Sequence, residues 1–89
     1  MTATEMVLRG RLTSEGLPDW VCHRARLLNL VGWVSPRDAQ TVSIVVSGPE
    51  ALVDAMEMAC SLGPMDVMVE EIERHPRTLA VLPNDFQRR

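Results

Sequence analysis

Apolar and polar residues alternate from Met6 to Leu12, with Met6, Leu8, Gly10 and Leu12 on one side and Val7, Arg9 and Arg11 on the other. A period of two is that of a half-buried strand, so Arg9 and Arg11 share its more solvated side. Thr13 to Asp19 interrupts the alternation with turn-forming residues and reads as a loop. The period then changes. Val21, Ala25 and Leu28 recur at i, i+4 and i+7, flanked by Trp20 and Leu27, while Asp19, His23 and Arg26 form the polar stripe. This predicts a helix from Trp20 to Leu28, with Pro18 suited to its start and Asp19 placing negative charge at its positive end. Val31 to Val34 reads as a short strand, Ser35 to Gln40 as a medium loop, and Thr41 to Ser47 as a second strand with Val42, Ile44 and Val46 inward and Val45 outward. Gly48-Pro49-Glu50 opens a second helix, with Leu52, Ala55, Met56 and Ala59 on one face and Glu50, Asp54, Glu57 and Ser61 on the other. Gly63-Pro64 stops it. Val67 to Arg74 reads as a strand, and the three-residue spacing of Val69 and Ile72 predicts a bulge within it. His75-Pro76-Arg77 reads as a turn. Leu79 to Leu82 with Phe86 form a last strand, placed at a sheet edge because Pro83 interrupts it.

The order is strand, helix, strand, strand, helix, strand, plus a terminal strand. It predicts an α+β, ferredoxin-like βαββαβ sandwich, with two helices on one face of a four- to five-stranded antiparallel sheet. At 89 residues the chain makes one domain, spanning 1–89. Charge narrows the partners. Residues 1–47 carry five Arg and four acids, whereas residues 48–89 carry four Arg and eight acids. Nucleic-acid binding calls for a basic surplus and aromatics for stacking; this chain is net negative, with Trp20, Trp33 and Phe86 as its only aromatics, so no nucleic-acid partner is expected. No apolar run approaches the roughly 18 residues of a membrane span, and Met1 to Met6 lacks the features of a secretory signal. No membrane partner is expected, and the cytoplasm is the default compartment. There, Cys22 and Cys60 are expected to be buried, reduced thiols. The adjacent pair Cys22-His23 lacks the spaced ligands of a zinc site, so neither metal nor cofactor is expected.

Several stretches together resemble the acylphosphatase family. Val7-Leu8-Arg9-Gly10-Arg11-Leu12, followed by Gly16-Leu17 and Trp20-Val21, resembles that family's phosphate loop. Leu28 to Val34 is similar to its "LGLxGWV" entry into the second strand, Val42 to Glu50 to its third strand and following "GP", and Phe86 to Arg89 to its last strand. The spacing runs without gaps from about Val7 to Glu50. The resemblance implies the βαββαβ fold and hydrolysis of the mixed anhydride of a carboxylic acid and phosphate. It further implies a loop whose backbone N–H groups cradle the phosphate, an Arg in that loop that binds the phosphoryl oxygens, and an Asn after "GWV" that positions the attacking water. Such chemistry rests on positioning and charge stabilisation.

The chain departs from the family at both functional side chains. The family loop, roughly G-x-V-Q-G-V-G-F-R, falls on Gly10-Arg11-Leu12-Thr13-Ser14-Glu15-Gly16-Leu17-Pro18, which puts Pro18 at the Arg position. "GWVxN" becomes Gly32-Trp33-Val34-Ser35-Pro36, which puts Pro36 at the Asn position. The anion-loop candidates are therefore Thr13, Ser14, Glu15, Gly16 and Leu17. Proline also removes a backbone N–H. Glu15 and Asp19 add negative charge where a phosphate would sit, and one charge roughly 6 Å away costs an anion on the order of 3 kcal/mol at an effective dielectric of about 20. Arg11 points away from Gly10. Arg37, one residue past Pro36, is the candidate substitute ligand, with the role of the Asn still unfilled.

Other chemistry-bearing residues have plainer readings. His23 reads as a solvated histidine pairing with Asp19. Met56, Met58, Met65 and Met68 read as core filler and loop packing. Glu70, Glu71 and Glu73 read as a solvated strand and turn. Three functions stay open: a catalytically inactive acylphosphatase-like domain acting as a binding or interaction module for a protein or a small anionic ligand; a working acylphosphatase with relocated catalytic groups; and a ferredoxin-like subunit whose likeness is only architectural.

Overall fold

The computed structural model describes residues 1–13 and 15–89; Ser14 lies outside the described residues. The elements are β1 (Thr2–Arg11), α1 (Leu17–Leu27), β2 (Val31–Asp38), β3 (Thr41–Ser47), α2 (Glu50–Leu62), β4 (Met68–Thr78) and β5 (Phe86–Arg88). They form a five-stranded sheet in the order β4-β1-β3-β2-β5. Both helices cover the same face: Val21 and Ala25 of α1 and Val53, Met56 and Cys60 of α2 join Met6, Leu8, Val34, Val42, Ile44, Val46 and Phe86 in one buried cluster. The alternation read along the first and third strands therefore faces the core. Among the described residues, no helix is long and apolar enough to cross a membrane.

The sheet is mixed rather than wholly antiparallel, because β5 runs parallel to β2, pairing Gly32 with Phe86 and Val34 with Arg88. Residues 79–85 carry the chain from β4 at one edge to β5 at the other. β4 runs opposite to β1, so after this reversal the returning strand runs with β1, and hence with β2. Residues 79–82 are not a strand, and only Phe86–Arg88 pair. Phe86 is fully buried and anchors the edge.

Three further readings change. His75-Pro76-Arg77 is no turn but part of β4, with Pro76 opposite Thr4. A proline fits an edge strand whose N–H faces away from the ladder. Ser35 to Asp38 continue β2, and the hairpin closes tightly at Ala39-Gln40, where the Asp38 carboxylate accepts a bond from the Gln40 N–H at 2.8 Å. Pro36 is tolerated there because β5 pairs only with residues 32–34 and leaves the outer side of Pro36 open. Helix α1 begins at Leu17, earlier than the periodicity indicates, because Leu17 and Pro18 turn inward and are buried. The expected bulge is present. Arg9 pairs with Glu71 and Gly10 with Val69, so Glu70 is the extra residue and Val69 and Ile72 both pack on the core. A Cβ at Gly10 would lie 2.1 Å from the Met68 carbonyl oxygen, so the bulge requires glycine.

The methionines divide. Met56 is in the core, but Met58, Met65 and Met68 are exposed rather than packed. Val45 faces away from the helices and is nonetheless buried, because the open side of the sheet carries its own cover. Trp33 and Glu5 flank Val45 on either strand, and the Arg89 guanidinium lies over the Trp33 ring at 4.0 Å. Cys22 and Cys60 are free and buried. Burial pushes the Cys60 thiol up to about 12 and raises that of Cys22.

Candidate functional site

The first turn of α1 and the end of β2 are brought to one end of the sheet by backbone bonds. Gly10 N–H donates to the Gln40 carbonyl at 3.1 Å and Leu12 N–H to that of Ala39 at 3.2 Å, which ties the end of β1 to the β2–β3 turn. The loop leaves from Leu12. Thr13, Glu15 and Gly16 are exposed and Leu17 is buried. Gly16 caps α1 through its backbone, accepting from Trp20 N–H at 2.9 Å, with no side-chain cap. An α-helix leaves its first N–H groups without intrahelical partners; at Pro18 one of these is missing. Pro36 lies opposite Val42, in the row that continues through Val42 to Leu8. Val42 and Leu8 face the helices, so Pro36 does too, beyond the helices' cover, where it is exposed. The structure thus gathers Thr13, Glu15, Gly16, Leu17, Pro18 and Pro36 at one end.

Arg37 does not join them. Its guanidinium reaches Glu5 at 4.0 Å. Glu5 accepts from the Ser43 hydroxyl at 2.7 Å and pairs with Arg77 at 3.3 Å. All four side chains stand on the open face of the sheet, opposite the helices. Alternation along a strand explains this: a residue next to Pro36 projects to the other side. The Ser43 hydrogen bond, aided by the charges of Arg77 and Arg37, holds the Glu5 carboxyl below its ordinary range against the opposing effect of burial. Arg37 thus turns to the open face, at the margin of this cluster.

Arg88 reaches the first turn of α1, where its guanidinium pairs with Asp19 at 2.9 Å. Asp19 follows Pro18 directly, and Arg88 lies beside Val34, two residues from Pro36. Asp19 therefore pairs with Arg88 rather than with His23. No local motif marks Arg88. The available signal was its spacing of two from Phe86, which puts both on the helix-facing side. Arg26 secures the same strand by donating to the Phe86 carbonyl at 2.8 Å. Among the described residues, no group of three or more His, Cys, Asp or Glu side chains is placed to hold a metal ion.

The acylphosphatase family model matches residues 4–87. The chain is 40% identical over 74 residues to an acylphosphatase of Azorhizobium caulinodans, covering 82% of this chain and 80% of that protein. It is 39% identical over 64 residues to an acylphosphatase of Acidiphilium cryptum, covering 72% and 70%. The crystal structure of acylphosphatase from Bacillus subtilis superposes with a TM-score of 0.87 at 27% identity, covering 98% of this chain and 97% of that one. With the element order, the loop placement and these likenesses in agreement, the chain belongs to the acylphosphatase family.

Proposed function

We propose that this chain is an acylphosphatase-fold domain that does not hydrolyse acyl phosphates and acts as a small binding or interaction module. The observation that carries the reading is Pro18. Buried in the first turn of α1, it supplies neither a cation nor an N–H at the position where the family's loop holds its phosphate-binding Arg. Pro36 leaves the second position without an amide to orient water. Glu15, exposed in the same loop, biases this end against an anion, while the charge of Asp19 is offset by Arg88. Losing one oriented donor lowers an enzyme's rate by about 10²–10³, and here two groups are absent.

One observation favours a second reading, a working hydrolase with a relocated cation. Arg88 pairs with Asp19, the residue after Pro18, and lies beside Val34, two residues from Pro36, whereas Arg37 turns to the open face. Hydrolysis of benzoyl phosphate separates the two. The purified protein is expected to turn it over no faster than buffer, and Pro18→Arg with Pro36→Asn is expected to gain measurable activity. Turnover by the unaltered protein that survives further purification and disappears on Arg88→Ala would overturn the inactive reading.

A further inference from the structure

Helix α2 shows two faces. Val53, Met56 and Cys60 are in the core. The opposite face leaves Asp54, Met58, Ser61 and Leu62 exposed, Met58 at 69% and Leu62 at 80%. Met58 and Leu62, four residues apart, are neighbours on the helix surface, and Met65 in the turn that follows is wholly exposed. Beside this stripe, between α2 and the edge strand β4, lies a groove of about 320 Å³ lined by Asp54, Glu57, Met58, Ser61 and Arg74. Arg74 donates to Asp54 at 2.7 Å and to Glu57 at 3.2 Å, so two carboxylates share one guanidinium and are held along the groove. Helix α2 carries Glu50, Asp54 and Glu57 and no basic residue.

An apolar stripe rimmed by polar groups marks an interaction surface, and methionine's unbranched thioether adapts to varied partners. The stripe occupies the C-terminal turns of α2 and the turn that follows, which suits an occupant that docks a short apolar face as a helix in a groove. The acidic rim selects its charge. We propose that the α2–β4 groove docks a basic amphipathic helix of a partner protein, with apolar anchors on Met58, Leu62 and Met65 and Lys or Arg against Asp54 and Glu57. A second copy of this chain fits poorly. A two-fold contact sets the same patch against itself, and with Glu50, Asp54 and Glu57 on α2 against the single guanidinium of Arg74 it would leave surplus negative charge on both sides. The cations of α1 are also engaged, Arg24 over the Trp20 ring and Arg26 on the Phe86 carbonyl.

The inference names a partner for the interaction half of the proposed function and rests on it, though not on the absence of hydrolysis. The test titrates protein carrying ¹³C-methyl methionine with a synthetic 18-residue peptide of Leu and Lys at helical spacing. The methyl signals of Met58 and Met65 are expected to shift with micromolar affinity while that of buried Met56 stays in place. Leu62→Glu, or Asp54→Asn with Glu57→Gln, is expected to weaken binding at least tenfold. Absence of shifts at Met58 and Met65 at millimolar peptide would overturn the proposal. So would equal binding of a Leu/Glu peptide of the same spacing, or self-association without peptide that Leu62→Glu abolishes. The peptide titration and the benzoyl phosphate assay read different events, so either reading can fail while the other stands.

Discussion

A proline at position 18 does two things to the first turn of α1. Its ring fixes φ near the helical value and suits a helix start, and it offers neither an N–H nor a side-chain charge there. Proline at this position thus favours the local fold, and the helix starts early with Leu17 and Pro18 buried. Glu5 is the opposite kind of residue, a carboxylate kept inside a cluster. Ser43 and the two arginines lower its folded-state pKa below the ordinary value of 4.5. A lowered folded value means that the carboxylate's contribution to stability is fully present above the unfolded value and is lost as pH falls through the folded one. Urea denaturation is therefore expected to show Glu5→Gln clearly less stable than the parent at pH 7, with the gap narrowing below about pH 4. A gap that stays constant to pH 3 would remove the charge from the explanation and leave only packing.

At the scale of elements, α2 makes a simple contrast. Met56 is fully buried between helix and sheet, and Met58, half a turn on, is exposed. Met56→Ala is expected to cost roughly 2–5 kcal/mol by leaving a cavity, whereas Met58→Ala should stay within about 0.5 kcal/mol. Comparable losses for both in urea melts would show that the outer face already has a partner within the fold. The periodicity of α2 was plain in the sequence because residues three and four apart share a face. The buried row, however, is Val53, Met56 and Cys60, and of the expected Leu52, Ala55, Met56 and Ala59 only Met56 is fully buried. β4 was harder. Pro76 is a turn signal on its own, and only the position of its strand at the sheet edge makes it a strand residue. The bulge was legible because Val69 and Ile72 break the period of two in a way that one extra residue repairs.

For the whole molecule, the distinctive feature is the crossing of residues 79–85 from one sheet edge to the other and the short parallel strand that follows. Three residues of pairing hold it, with Phe86 in the core, Arg26 on its carbonyl and Arg88 on Asp19. Removing the anchor should loosen this edge first. Phe86→Ala is expected to cost about 3–5 kcal/mol. It should also speed hydrogen exchange at Gly32 and Arg89, whose N–H groups bond to Asp85 and Val34, more than at the β1–β3 amides. Equal acceleration throughout would mean that β5 does not open separately.

The sequence by itself determined the helices, the inward rows of the central strands and the bulge. Each of these depends on spacing within a short stretch, and backbone geometry converts such spacing directly into faces. The tertiary structure decided what depends on distant partners. It placed Arg37 on the open face with Glu5 and brought Arg88 to Asp19 across 69 residues. It made β5 parallel, kept Pro76 inside a strand, buried Val45 from the open side and left Met58 and Met65 uncovered. A strand's direction, its neighbour in the sheet and the partner of a charged side chain are set by how the chain returns on itself, and local periodicity carries no record of that path.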